Sequence, residues 1–242
     1  MDDDRLPFPA CVIAGKARID AEDVCLLRRC KPYGVTDMTD ARTLVLLHRQ
    51  CPVRCVEWDD YLADQISGFV VETCHPHGRI DDDNARSLIM LIAPHGRIGS
   101  RAELDILLHA LERAKAAPEA LTMLALDQLA LDLLEGCGPL RETNTPNGRA
   151  IGIDDLAFLH RVLSTNLAHG KARLPEAQRQ WLLRLDGENA HTRHHPGWYG
   201  LIAALRRSGD GADMPAPTPS SAPGERWLKV GDRFLLGSVQ AA

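Results

Sequence analysis

The sequence predicts an all-α protein made of three quasi-repeated helical units packed as one helical array, with a flexible C-terminal tail. Apolar residues recur at the spacing of a helix face, and residues 16–207 show no sustained alternation of apolar and polar residues. Short motifs also recur in the same order along the chain. The chain has 242 residues, of which 45% are apolar, so it can form a core without disulfides or metal.

An internal repeat organises the sequence. The pentapeptide Pro-His-Gly-Arg-Ile occurs at residues 76–80 and again at residues 94–98. At an offset of 61 residues, the Leu-Leu-His sequence of residues 46–48 matches that of residues 107–109. Matches that keep their order at a nearly constant offset indicate duplication of a structural unit.

A third copy is fainter and aligns best with the first. It places Trp198 over Trp58, and Asp155-Leu156 over Asp23-Val24. Each unit is too small to bury its apolar side alone, so stacking of neighbouring units is expected. The predicted divisions are an N-terminal segment 1–15, units 16–75, 76–140 and 141–207, and a linker with an apolar peptide 208–242.

Capping and stripe patterns predict the individual helices. Ser100 and Glu103 have the spacing of a capping box, in which both side chains satisfy free amides at a helix start. The apolar stripe of that helix consists of Leu104, Leu107, Leu108 and Leu111. In the first unit, residues 56–73 are predicted to form one helix, whose apolar face begins at Trp58.

The C-terminal tail combines a linker with a small apolar segment. Residues 208–223 are rich in Pro, Ser, Gly and Ala, which is typical of a flexible linker. The apolar residues beyond it include Trp227, Leu228, Phe234 and Leu235. This segment either folds back on the helical body or docks onto a protein partner.

The sequence resembles a known family mainly over residues 76–137. A helix, a His-Gly-Arg-Ile turn and a capped helix resemble the TerB-like domains of tellurite-resistance proteins, which are all-helical and reminiscent of degenerate EF-hands. That family carries an acidic residue before the turn glycine, where this chain has His77 and His95. The resemblance implies a metal-binding or metal-stress-responsive role. The whole chain also resembles proteobacterial proteins built from such units, which implies no activity.

One candidate metal site lies at the end of the predicted 56–73 helix. Cys74, His75 and His77 are residue types that bind zinc. Cys55 cannot join them, because the helix would separate Cys55 from Cys74 by roughly 27 Å. Calcium is not expected, because an EF-hand register on Gly78 or Gly96 lacks carboxylates at the ligand positions.

A second candidate metal site is the loop sequence that contains His191, His194 and His195. A transition metal such as zinc is the ion that these side chains would bind. The leucine-histidine pairs that end at His48, His109 and His160 are interpreted instead as polar flanks of helical stripes. The sequence otherwise predicts no cofactor.

No catalytic motif stands out in the sequence. A phosphate-binding GxxxxGK[ST] loop, a GxGxxG turn and a serine nucleophile elbow are all missing from it. The sequence therefore favours a non-catalytic helical protein that binds partners or acts as a scaffold. A metal-binding TerB-like protein is the alternative, and an enzyme with a cavity between units is a third possibility.

The charge distribution limits the classes of partner that are expected, and the lack of membrane and secretion signals limits the expected location. Residues 1–140 carry a net charge of about −8 and residues 141–207 about +4, which fits self-association as well as a protein partner. The sequence does not show the dense basic face that is typical of nucleic-acid-binding proteins, so nucleic acid is not an expected partner. The longest apolar run has six residues, too few to span a membrane, and the acidic first residues do not form a secretion signal. A cytoplasmic location with reduced cysteines is expected.

Overall fold

The structure is a computed structural model that describes residues 8–141, 149–168 and 174–209. The prediction of an all-α fold is confirmed over these residues. The predicted docking residues Trp227, Leu228, Phe234 and Leu235 lie outside the described residues. Within the described residues, no helix combines the length and hydropathy that crossing a bilayer requires.

Ten α-helices form the described part of the chain. They are α1 (Phe8–Gly15), α2 (Ala21–Cys30), α3 (Met38–Gln50), α4 (Val56–Gly68), α5 (Asp82–Ile92), α6 (Arg101–Arg113), α7 (Glu119–Glu135), α8 (Ile153–Ala168), α9 (Glu176–Glu188) and α10 (Pro196–Gly209). A π-helical turn, Phe69–Thr73, continues α4, so the helix predicted over residues 56–73 forms with a change of pitch. Two short strands, β1 (Arg18–Ile19) and β2 (Val53–Arg54), pair in parallel.

The described chain forms two compact bodies. Residues 8–141, 158–168 and 174 belong to the first, and residues 149–157 and 175–209 to the second. The core of the first body lies where α4 packs on α6, and both helices contribute fully buried side chains there. Each such leucine or isoleucine stabilises the fold by about 1.5 to 3 kcal/mol. The unit boundaries predicted at residues 76, 141 and 208 stay predictions.

Side-chain caps set the starts of several helices. Asp20, Asp37, Asp81 and Ser100 each accept a hydrogen bond from a backbone amide in the first turn of the helix that follows. The capping box predicted at Ser100 differs in one bond. Ser100 accepts from the Glu103 amide, but Glu103 accepts from the amide of Gly99 rather than from that of Ser100. The reciprocal capping box forms at Asp20 and Asp23.

The first and second thirds of the chain share a glutamine that lies against a glycine turn. Gly34 and Gly96 both have a φ of +72°, a left-handed conformation that glycine adopts without strain. Gln128 accepts a hydrogen bond from the Ile98 amide at 2.8 Å and donates to the Gly96 carbonyl at 3.2 Å. A Cβ atom on Gly34 would lie 2.4 Å from Gln65 Oε1, so the Gln65 side chain closely approaches the Gly34 turn.

Candidate functional site

A buried histidine joins three helices of the first body. His48 lies near the end of α3, and its side chain is 2% exposed. The Trp58 indole in α4 donates a hydrogen bond to His48 Nδ1 at 3.1 Å. On the other side of the ring, Nε2 lies 2.8 Å from the hydroxyl oxygen of Ser100, the residue that caps α6. We call His48, Trp58 and Ser100 the His48 cluster.

The direction of these hydrogen bonds follows from the donors available. An indole nitrogen can only donate, so His48 Nδ1 must be the unprotonated acceptor. Nε2 then carries the proton of the neutral ring and donates a hydrogen bond to the Ser100 hydroxyl oxygen. A histidine that activates a serine must instead accept the hydroxyl proton. The pair therefore has the opposite polarity to a nucleophile and its base.

Burial and two nearby arginines keep the imidazole of His48 neutral. Burial, together with the positive charges of Arg54 and Arg49, lowers the pKa of His48 to about 4. Arg49 forms an ion pair with the buried Glu103, with Nε and Oε1 2.7 Å apart. Arg54 donates to the backbone carbonyl oxygen of His48 at 3.0 Å, so it holds the end of α3.

Asp59 is the acidic residue next to the His48 ring. Its Oδ1 lies 3.9 Å from His48 Nδ1 and 3.9 Å from Arg54 Nε, both beyond hydrogen-bond distance. Burial raises the pKa of this carboxyl group. Asp59 therefore neither orients the imidazole nor completes a catalytic triad.

The Trp58 arrangement recurs in the second body with a different acceptor. Trp198 is the third residue of α10, as Trp58 is of α4, and its indole donates to Asp186 Oδ1 at 2.9 Å. Asp186 is the eleventh residue of the 13-residue helix α9, and His48 is the eleventh residue of the 13-residue helix α3. The pairs α3–α4 and α9–α10 thus each contain a hydrogen bond from the indole of the second helix to the eleventh residue of the first.

The middle helix pair has apolar residues at the same two positions. The eleventh residue of α6, also a 13-residue helix, is Leu111, and the third residue of α7 is Leu121. Both side chains are fully buried. Helix α3 begins at Met38 and α6 begins 63 residues later, at Arg101. When residues are counted from the start of each helix, His48 therefore aligns with Leu111 rather than with His109.

The interpretation of the leucine-histidine pairs as polar flanks is wrong for His48. His48 is in the core, whereas His109 and His160 are half-buried. Hydrophobic periodicity assigns a histidine to a polar flank, because it cannot detect a buried polar partner from elsewhere in the chain. The signal that could have indicated a buried partner was the pair Trp58 and Trp198. Each of them lies at the start of a helix that follows a 13-residue helix.

The predicted ligands Cys74, His75 and His77 lie in the turn after the π-helical segment. The two histidines are exposed, with ring centroids 5.8 Å apart in a stacked arrangement. His77 Nδ1 lies 2.8 Å from the Glu72 carbonyl oxygen, so Nδ1 donates, and Nε2 has no hydrogen-bond partner among the residues that the structure describes. Burial and the nearby Asp81 raise the pKa of the half-buried Cys74 thiol.

The histidines of the second predicted site have separate roles. His194 is buried, and its ring accepts a hydrogen bond from the Ile151 amide at Nδ1 and faces the Asn189 carbonyl at Nε2. His195 Nδ1 accepts from the Gly197 amide, and His191 is exposed. Within the described residues, no three His, Cys, Asp or Glu side chains converge as a metal site would require. Zinc binding stays a prediction.

Comparisons with known proteins do not add to this picture. No family model, no curated protein and no solved structure matches the chain. The resemblance to TerB-like domains therefore stays a prediction from the sequence motifs.

Proposed function

We propose that this chain is a non-catalytic helical scaffold that binds a protein partner. The observation that carries the proposal is the chemistry of the shared helix-pair position, which is His48 in α3, Leu111 in α6 and Asp186 in α9. A position that carried out a reaction would need the same type of reactive side chain in every helix pair. A packing position can hold any side chain whose polar atoms have hydrogen-bond partners. The shared position therefore serves packing.

The polar groups around His48 support the same proposal. Ser100 accepts hydrogen bonds as a helix cap, and Glu103 is paired with Arg49 and with the Gly99 amide. Each of these groups is used to hold one helix against another. Stacked helix pairs of this kind commonly offer extended surfaces to other proteins.

The corner between β2 and α4 is the surface that we assign to the partner. Val53 is 63% exposed and Val56 is 70% exposed, and only two residues separate them. Pro52 beside them is also exposed, so three apolar residues of this corner face solvent. Large contiguous apolar patches mark protein-binding sites, and we assign these three residues to the centre of such a patch.

A complex isolated from native cells tests the proposal. We expect the chain to elute with a stoichiometric protein partner or as a defined self-associated species, measured by size-exclusion chromatography with light scattering. Val53→Asp combined with Val56→Asp is expected to weaken that complex about tenfold. The matched control is Leu134→Asp, at a residue that is 64% exposed on α7, and it should leave the complex intact. A chain that stays monomeric and partnerless and converts a metabolite would contradict the proposal.

Zinc binding at Cys74 and His77 is the second candidate function, favoured by one observation. His77 Nδ1 is bonded to the Glu72 carbonyl oxygen while Nε2 has no partner in the described part of the chain, and metal-binding histidines commonly have their second ring nitrogen bonded in this way. We expect metal analysis of untagged protein to find zinc that Cys74→Ala or His77→Ala removes. His95→Ala, in the other Pro-His-Gly-Arg-Ile copy, is the matched control. Metal-free protein with a melting temperature unchanged by chelator would contradict this candidate.

A further inference from the structure

The second body contains a shallow surface cavity of about 480 Å³ between α9 and α10, and it is open to solvent on one side. The two helices run antiparallel, because Arg179 in α9 donates to the Leu205 carbonyl while the Trp198 indole donates to Asp186. Eight residues line the cavity: Asp186, Ala190, His194, Tyr199, Ile202, Ala203, Arg206 and Arg207. Its volume lies within the range of about 300 to 1,000 Å³ that is usual for small-molecule sites.

Fixed side chains hold the walls of this cavity in place. His194 has both ring nitrogens bonded to backbone groups of Ile151 and Asn189. Asp186 accepts the Trp198 indole proton with Oδ1 and pairs with Arg206 through Oδ2 at 2.8 Å. The small side chains of Ala190 and Ala203 leave the space between these walls open. His194 and Asp186 are therefore held in place before a ligand binds.

The lining carries one excess positive charge. Arg206 is paired with Asp186, whereas Arg207 has no ion pair with any residue that the structure describes. The two hydrogen bonds of His194 fit only the neutral ring, one nitrogen accepting and the other donating. The lining therefore has its uncompensated positive charge at the end where Arg207 lies.

The rest of the lining is apolar except for one hydroxyl group. Ile202 and the two alanines form an apolar surface along one face of α10 and the facing loop. The Tyr199 oxygen accepts the His194 backbone amide at 3.1 Å, so its own proton can be donated. Tyr199 precedes Arg206 by two helical turns, about 10 Å along the axis.

We propose that this cavity binds a small amphipathic monocarboxylate. The carboxylate lies at the Arg207 guanidinium, whose forked N–H groups match the two oxygens of a carboxylate. The apolar part of the ligand packs on Ile202, Ala190 and Ala203. This inference is independent of the scaffold proposal, because it concerns a small molecule in the second body and not a protein at the β2–α4 corner.

Binding of hydrocinnamate to the full chain, measured by saturation-transfer NMR and calorimetry, tests this inference. The neutral hydrocinnamamide has the same shape and serves as the charge control. We expect the acid to bind with a Kd of about 1 mM or tighter and at least about fivefold more tightly than the amide. Equal binding of the two compounds, or no binding of the acid at about 10 mM, would overturn the inference.

Three variants localise the binding. Arg207→Gln is expected to weaken hydrocinnamate binding about fivefold or more, and Ala203→Trp, which fills the cavity, to abolish it. Arg184→Gln removes the same charge from α9 without touching the cavity lining, so it should bind like the unmodified chain. Circular dichroism checks that Ala203→Trp folds. Equal weakening by Arg184→Gln and Arg207→Gln would mean nonspecific charge attraction and would contradict the proposed site.

Crosslinking from a photoreactive side chain in the cavity lining shows whether a molecule other than a small carboxylate occupies the cavity. Tyr199→p-benzoylphenylalanine in the full chain should give no crosslink until a benzophenone-reactive carboxylate such as octanoate is added, and then a crosslink to that compound. A crosslink to residues 210–242 of the same chain, or to a copurified protein, would show a peptide occupant and would overturn the assignment to a small carboxylate.

Discussion

Replacing Trp58 with alanine should lower the free energy of unfolding by about 3 to 5 kcal/mol, the usual cost of deleting a fully buried tryptophan. Trp58→Phe keeps an aromatic ring but removes the indole N–H, which leaves His48 Nδ1 buried without a donor. We expect that variant to cost about 1 to 3 kcal/mol. Urea unfolding followed by circular dichroism measures both.

Tyr33→Ala is the matched control for the Trp58 substitutions, because Tyr33 is an aromatic residue of the same body that is 91% exposed. Its expected effect is within about 0.5 kcal/mol. If Trp58→Phe proved as stable as the unmodified chain, the indole-to-imidazole hydrogen bond would contribute nothing to stability.

Acid should destabilise the first body through His48. The pKa of His48 is about 4 in the folded chain against 6.5 for the unperturbed side chain, so the unfolded state binds the proton more readily. This contribution to stability is complete above pH 6.5 and is lost progressively as the pH falls to about 4. Its full size is about 3 kcal/mol. Chemical unfolding at a series of pH values measures it.

His48→Leu removes this titration and should flatten the pH dependence over that window, although it lowers stability at neutral pH by leaving the Trp58 indole unpaired. The exposed His95, changed to leucine, is the control and should keep the slope. Asp59 acts in the opposite direction, because its raised pKa makes the folded state bind protons more readily on acidification. A slope that survives in the His48→Leu variant would assign the acid sensitivity to other groups.

Much of the helical architecture could be predicted because it depends on local patterns. The stripe of Leu104, Leu107, Leu108 and Leu111 repeats every three or four residues, and all four side chains are buried in α6. The Ser100 cap is likewise a pattern of neighbouring residues. The β1–β2 pair could not be predicted, because strands of two residues have no periodicity to detect.

The His48 cluster and the cavity depend on contacts between distant residues. Ser100 lies 52 positions beyond His48, and no spacing rule connects a helix cap with a histidine of an earlier helix. In the cavity, Ala190 and Ala203 matter because they are small, and a small residue in a sequence does not tell what faces it. The Trp198 indole bond to Asp186 was hidden for the same reason, since only the folded hairpin brings the two together.

Ser100 has a consequence for local opening of the chain. Its hydroxyl oxygen caps the start of α6 and also accepts a hydrogen bond from the His48 imidazole in α3. The first turn of α6 cannot fray while α3 stays in place without breaking that bond, so we expect the amides of this turn to exchange together with those at the end of α3. A helix end is ordinarily among the first parts of a protein to exchange its amides with solvent, and the bond to the buried His48 should slow that exchange here.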